Sequence, residues 1–362
     1  MPEVWIPYGE VEAMITLQAE NLGVLVDPEA EKSTGETDRL AEKIRRSGHL
    51  FVCDSSPTTM ELLKEIVSTI AAAPDLKVHS INPKRLESLI PDLKGRVIPP
   101  SAGPPEGPQH PGELMSANEK LFVATAKPDP FFGIVDAKVA ACLGWVGGAR
   151  SAAAEARKDF EPTPFEKTEA YDAVQEMVAR IGGASFLTVV PRSGKVRSAL
   201  EDAPFDAIKN GFYNTSMSPA RAMIVGAGGI GYDDTLSSAL RVVWSSLGGV
   251  RKPGELLLFA ECSSGLGSRA LEMLVTGRMG AEVRKREKYV DGLEEVYYLN
   301  KLKEEYNVLL LSGLPELYAK SKLGFTTAKG SGEALGKLLH RLGKTAKVNV
   351  VTRAAECRIS SA

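Results

Sequence analysis

A chain of 362 residues is longer than one hydrophobic core usually organises, so two domains are expected. Its 43% hydrophobic and 25% charged residues, with a net charge of −2, give no field able to hold polyanions or acidic membranes, which excludes a polybasic nucleic-acid binder. The opening MPEVWIPYGEVEAM has neither a basic nor an apolar leader region, no run approaches about 18 apolar residues, and Cys53, Cys142, Cys262 and Cys357 form no C-x-x-C pair, so a cytoplasmic protein is expected.

Short apolar runs at Leu50–Cys53, Leu76–Ile81, Leu121–Thr125, Ala184–Val190, Met223–Val225, Glu255–Phe259, Val308–Leu311 and Val348–Val351 read as buried parallel strands. Stretches of helical period lie between several of them. Leu62, Leu63, Ile66 and Val67 follow the first. After Thr163-Pro164-Phe165-Glu166, which has the form of a capping box with proline at the first helical position, apolar residues fall at Ala170, Ala173, Val174, Met177, Val178 and Ile181 before Gly182. Asp233 or Asp234 can cap a second helix whose inner face is Leu236, Ala239, Leu240, Val243, Trp244 and Leu247. A third runs near Glu333–Leu342 and closes at Gly343. This alternation predicts an α/β fold of two lobes with largely parallel sheets and an interdomain cleft. The break is placed near Asn210–Pro219, giving lobes 1–210 and 211–362, and the proline-rich segment 97–112 reads as either a linker or a long surface loop.

Four segments stand after strands and carry polar chemistry. Gly226-Ala227-Gly228-Gly229-Ile230-Gly231 has the G-x-G-x-x-G form of a dinucleotide turn, but Asp233 and Asp234 would set carboxylates beside the phosphate and the expected ribose acid is replaced by Ser245-Ser246-Leu247. A tight turn for another ligand, or for packing alone, remains the alternative. Glu261-Cys262-Ser263-Ser264-Gly265 places an acid and hydroxyls at a sheet's carboxyl edge, or forms a plain glycine-rich turn. Asp54-Ser55-Ser56-Pro57-Thr58-Thr59 can bind phosphate through hydroxyls, or can serve as a helix N-cap cluster. Pro128–Lys138 ends on a lysine that can hold an anion, be modified covalently, or simply be solvated. Of the four histidines, His49 and His340 suit capping or solvent, His110 lies in the proline-rich segment, and only His79 is placed to approach a site. Their spacing excludes a local metal-binding cluster.

Taken together these segments resemble the nickel-dependent lactate racemase family along nearly the whole chain. Ile6-Pro7-Tyr8-Gly9 is similar to that family's L-P-Y-G, and Glu20–Leu25 to the strand segment that follows it. Ala184–Arg197 with Ala199–Gly211 is similar to the stretch that ends the first lobe. Ile224–Asp233 resembles V-S-A-G-G-x-P-x-D, and Gly254–Gly267 resembles G-G-x-I-I-L-x-A-E-C-x-E-G-L-G. The resemblance implies two α/β lobes, racemisation of a 2-hydroxy acid, and a nickel-pincer nucleotide tethered to a lysine.

Carried over by position, the family's D-x-T-R-P loop becomes Asp54-Ser55-Ser56-Pro57, which loses the arginine that clamps a substrate carboxylate. The G-T-H segment falls near Val78–Pro83, where His79 is the nearest imidazole. In P-H-x-x-x-G-x-S-G-G-x-K, Asp129 stands where the second histidine belongs and Lys138 where the cofactor lysine does. Trp145–Asp159 holds no nickel-ligating histidine. On this reading Asp129 and His79 share proton transfer; Lys138, Asp54, Ser55, Ser56, Thr58, Gly228, Gly229 and Asp233 hold the cofactor; Arg241, Ser238 and Glu261 face the substrate; the metal ligands are unknown. Loss of two imidazole bases, each typically worth about 10²–10⁴-fold, sets a non-catalytic member that binds a hydroxy acid or nucleotide-like ligand beside the racemase. An NAD(P)-dependent oxidoreductase using Gly226–Gly231 is the third reading.

Overall fold

The computed structural model describes residues 2–29, 36–73, 75–99, 119–179, 181–284, 288–343 and 346–362. Most of the segment 97–112, with His110, lies outside the described residues.

The strands in chain order begin with β1 (Glu3–Tyr8), β2 (Val11–Thr16), β3 (Leu22–Val26), β4 (His49–Val52), β5 (Lys77–Ser80) and β6 (Val97–Ile98). They continue through β7 (Lys120–Thr125), β8 (Lys127–Asp129), β9 (Gly133–Val135), β10 (Ala184–Arg192), β11 (Lys195–Glu201) and β12 (Tyr213–Met217). The last are β13 (Ala220–Gly226), β14 (Val250–Phe259), β15 (Tyr306–Leu311), β16 (Thr326–Ala328), β17 (Val348–Val351) and β18 (Cys357–Ser361). One six-stranded sheet has the order β11-β10-β7-β4-β5-β6 and is parallel except for β11; the other, β16-β15-β14-β13-β17-β3, is parallel throughout.

Each of the eight apolar runs lies on one of these strands, because helices or the β1–β2 hairpin cover both faces of each sheet and both side-chain rows must be apolar. Leu50, Val52, Leu121 and Val123 face one core with Leu62 and Leu63. Phe51 and Phe122 face a larger core that also takes in Val225, Leu256 and Tyr298 from the second sheet. A third core seats the hairpin, with Ile6, Ile15 and Leu17 against Ile224, Leu257 and Leu338. Each such fully buried aliphatic side chain contributes about 1.5–3 kcal/mol, enough to hold a two-stranded ribbon that would not stand alone.

The chain and the sheets divide differently. The break expected at 210/211 assigns all early residues to the first lobe, yet β3 pairs with β17 and completes the second sheet. The cause is local: Leu22-Gly23-Val24-Leu25-Val26 is an apolar run whose parallel partner is made only near residue 350. Two caps also differ from expectation. The helix Glu169–Val178 is capped by Thr168, which accepts the Tyr171 N–H, while Thr163–Glu166 is a turn with Phe165 at φ 66°. The helix Leu236–Val242 is capped by Thr235, leaving Asp233 and Asp234 free for the turn before it. No helix among the described residues is long and apolar enough to cross a membrane.

Candidate functional site

The loop after β4 is a closed hydrogen-bonded knot. Asp54 Oδ1 accepts from the Ser56 N–H and hydroxyl, both at 3.0 Å, and Oδ2 accepts from the Thr125 N–H. The Thr125 hydroxyl lies 2.6 Å from Ser56 Oγ and 2.7 Å from Thr59 Oγ1, while Ser56 caps the helix Pro57–Glu65. Asp54 and Ser56, expected to hold a cofactor, join β4, β7 and the helix; Thr58 is buried and Ser55 half-buried beside them. The capping alternative describes the loop.

His79 is fully buried and does not face the cleft. Its ring stacks on Phe51 at 4.3 Å, meets Trp145 edge-on at 5.9 Å, and places Nε2 3.1 Å from His49 Nδ1. His79, expected to share proton transfer, pairs across β4 and β5 with Phe51, and strand alternation sends both into the same aromatic layer. Lys138 stands half-buried in the first turn of the helix Ala137–Trp145, beside the capping Asp136.

Asp129, expected to share proton transfer, sits in a buried charge network. Its Oδ1 accepts the Phe131 and Phe132 N–H groups at 2.7 and 2.9 Å, and its Oδ2 accepts Arg241 Nη1 at 2.8 Å. Arg241, expected to face substrate, directs Nε to Glu295 at 2.9 Å and Nη2 to Glu294 at 2.9 Å. Arg150 closes the set at 3.3 Å from Glu294, and the Ser237 hydroxyl donates to Glu295. Burial pushes the Glu294 carboxyl up, against the lowering effect of Arg241 and Arg150. Asp129 and Arg150 precede β13 in the chain and Arg241, Glu294 and Glu295 follow it, so the network is an ionic bolt between distant parts of the sequence. Ser238 likewise faces its own helix, with Thr235 Oγ1 3.0 Å away.

The glycine turn keeps an open surface. Gly228 and Gly229 have φ of +129° and +78°, the left-handed side where a side chain is strained. With Pro7, Gly9, Pro57 and Arg353 they line a cavity of about 450 Å³ at the carboxyl ends of β13 and β17. Behind Gly9, Asp233 Oδ2 accepts the Gly9 N–H at 2.9 Å and the Glu261 N–H at 3.3 Å. Burial pushes the Asp233 carboxyl up to about 6, against the lowering effect of those two amides. Burial, with Cys262, Glu261 and Asp233 nearby, pushes the Tyr8 phenol up to about 12. The Glu261 carboxylate packs on Gly9 so closely that a β-carbon there would sit 2.0 Å from Oε2. Arg85 of the first lobe reaches Asp234 at 3.4 Å, and Lys127 donates to the Gly231 carbonyl at 2.9 Å.

The structure thus gathers Gly228, Gly229, Asp233 and Glu261 around one region, and puts Asp129 with Arg241 in another. Glu294, Glu295 and Arg150 were not singled out from sequence; adjacent acids in a helix's first turn read as ordinary dipole partners. The only sequence signal was that both fall on a helix whose inner face is Leu293, Val296, Tyr298 and Leu299. Trp5, Glu10, Glu12 and Arg353 were missed because nothing local marks them.

The whole chain is similar in fold to the lactate racemase apoprotein of Thermoanaerobacterium thermosaccharolyticum, with a TM-score of 0.72 over 99% of this chain and 100% of that one, at 14% identity. A Thermotoga maritima protein solved by structural genomics aligns with a TM-score of 0.60 over 92% of this chain and 100% of its own, at 10% identity. No family profile and no curated protein matches the sequence.

Proposed function

We propose that this chain binds a small molecule in the cavity at Gly228–Gly229, on a lactate-racemase-like scaffold that does not carry out two-base racemisation. The observation that carries this reading is the engagement of both Asp129 oxygens by Arg241, Phe131 and Phe132. Racemisation of a hydroxy acid needs two proton acceptors on opposite faces of one carbon. Asp129 is committed to the ionic bolt and His79 to an aromatic core, so neither has a free approach to a substrate.

The residues present also do not fit a nickel centre. No group of three or more His, Cys, Asp or Glu able to hold a metal occurs among the described residues. His49 and His79 are buried in the first lobe, and His340 is exposed on the outer helix Ser331–Leu342. Lys138 retains a position suited to a tether, without a metal-binding group to accompany it among the described residues. A dinucleotide on the glycine turn is disfavoured by two carboxylates at the adjoining Gly9, Asp233, which accepts the Gly9 N–H, and Glu261, which packs on Gly9.

The test is production of the full chain together with enzymes that make the pincer nucleotide, followed by nickel analysis, intact mass and lactate racemisation. The expected result is an unmodified, nickel-free and inactive protein. A mass increment that disappears in Lys138→Ala, with racemisation, overturns the proposal. Calorimetry with NAD and NADH is expected to show no binding.

A further inference from the structure

The walls of the cavity at the glycine turn specify charge as well as size. Its volume of about 450 Å³ suits a small organic molecule, and its rim includes Trp5, whose side chain is 50% exposed on the outer face of the β1–β2 hairpin. Glu10 and Glu12 are exposed on the same rim. Arg353 is the one lining cation among the described residues, and it already faces Glu12 at 3.9 Å. Behind the Gly9 wall lie two more carboxylates, Asp233 and Glu261. Asp233 is fully buried, and its Oδ1 meets no donor among the described residues.

Among the lining residues two carboxylates, Glu10 and Glu12, stand against one cation, Arg353, a balance that disfavours an anion and favours a cation. An indole face at the rim is the aromatic surface that best accepts a cation, and Pro7 and Pro57 supply apolar contact. We infer that the cavity takes a small organic cation, an ammonium or guanidinium group carried on an apolar body. This rests on the binding function proposed above and names the chemical class of its ligand. It also differs from the hydroxy acid and the nucleotide that the sequence suggests, both of which are anions.

The test uses the full chain, calorimetry and the emission of Trp5, the other tryptophans being buried. The probes are butylammonium, butylguanidinium, 1-butanol as the neutral isostere, lactate, inorganic phosphate and calcium chloride. Butylguanidinium or butylammonium is expected to bind about tenfold or more tightly than 1-butanol, and to weaken as salt is raised. Glu10→Gln and Glu12→Gln, at exposed positions that leave the fold intact, are each expected to weaken cation binding several-fold. Trp5→Leu should weaken it and abolish the emission change. Tighter binding of lactate, phosphate or calcium, silence from every probe, or indifference to both glutamine variants overturns the inference. An anion that binds the unmodified protein would remove the cation class and leave the binding function standing, whereas a nickel adduct on Lys138 would remove the binding function itself.

Discussion

Arg241→Met tests the ionic bolt most directly. The substitution keeps an apolar stem of similar length and leaves Asp129, Glu294 and Glu295 facing one another with only Arg150 between them. Breaking a buried charge pair by removing one partner typically costs about 3–5 kcal/mol, most of it the penalty of leaving the other charge uncompensated. At an unfolding entropy of about 2.1 cal/mol/K per residue over 362 residues, that loss lowers Tm by about 4–7 °C. Circular dichroism melts and urea titrations measure it. The triple variant Asp129→Asn, Arg241→Met, Glu295→Gln removes charge from both sides and is expected to recover most of the loss, since neutral replacement of a buried ion set is often nearly neutral in energy. A single variant that melts within about 1 °C of the parent, or a triple variant as unstable as the single, refutes the assignment of a fastening role to these charges.

Asp233→Asn should stabilise the protein at neutral pH. A carboxyl raised from 3.8 to about 6 in the folded state contributes stability that is present below the unfolded value and is lost as pH rises through 6. The penalty at pH 7.5 is about 3 kcal/mol, in surroundings that also include Tyr8, Asp234, Glu261 and Cys262. Urea titrations should show the variant ahead at pH 7.5 and the parent drawing level near pH 4; equal stability across that range would rule out the shift. Gly231→Ala should cost at least about 2 kcal/mol, because φ is +83° and the new methyl would stand 2.7 Å from Ser56 Cα in the other lobe. A loss under about 1 kcal/mol in urea would mean the two loops separate freely. Thr125→Val removes the hydroxyl shared by Ser56 and Thr59 and should cost about 1–3 kcal/mol. An unchanged urea midpoint would show that the knot does not hold the loop. His79→Phe should leave cavity binding unchanged while lowering stability, since His49 loses its neighbour; an altered affinity measured by Trp5 emission would reopen a role for His79 at the site.

Much of the scaffold was legible because it rests on patterns shorter than ten residues. The run Leu121–Thr125 announces β7, and the glycine turn after β13 announces a sheet edge with an open surface. The polar site was less legible, for a physical reason. Asp129 and Arg241 were each recognised as chemistry-bearing, one as a replacement base and the other as a substrate contact. What the sequence could not express is that residues 112 positions apart pair with each other. The same holds for His79, whose neighbours Phe51 and Trp145 come from β4 and a distant helix. The hairpin escaped because its outer face mixes Trp5 and Met14 with glutamates, so no clean alternation marks it.

The pairing of β3 with β17 has a consequence for how the protein is made. Residues 22–26 leave the ribosome more than 300 residues before their partner Val348–Val351. At about 5–20 residues per second, the wait is about 15–65 s, long enough for the first sheet to fold beforehand. Throughout that interval an apolar segment with unpaired backbone groups is presented to the cell. The second sheet can therefore be completed only once Val348–Val351 has been made.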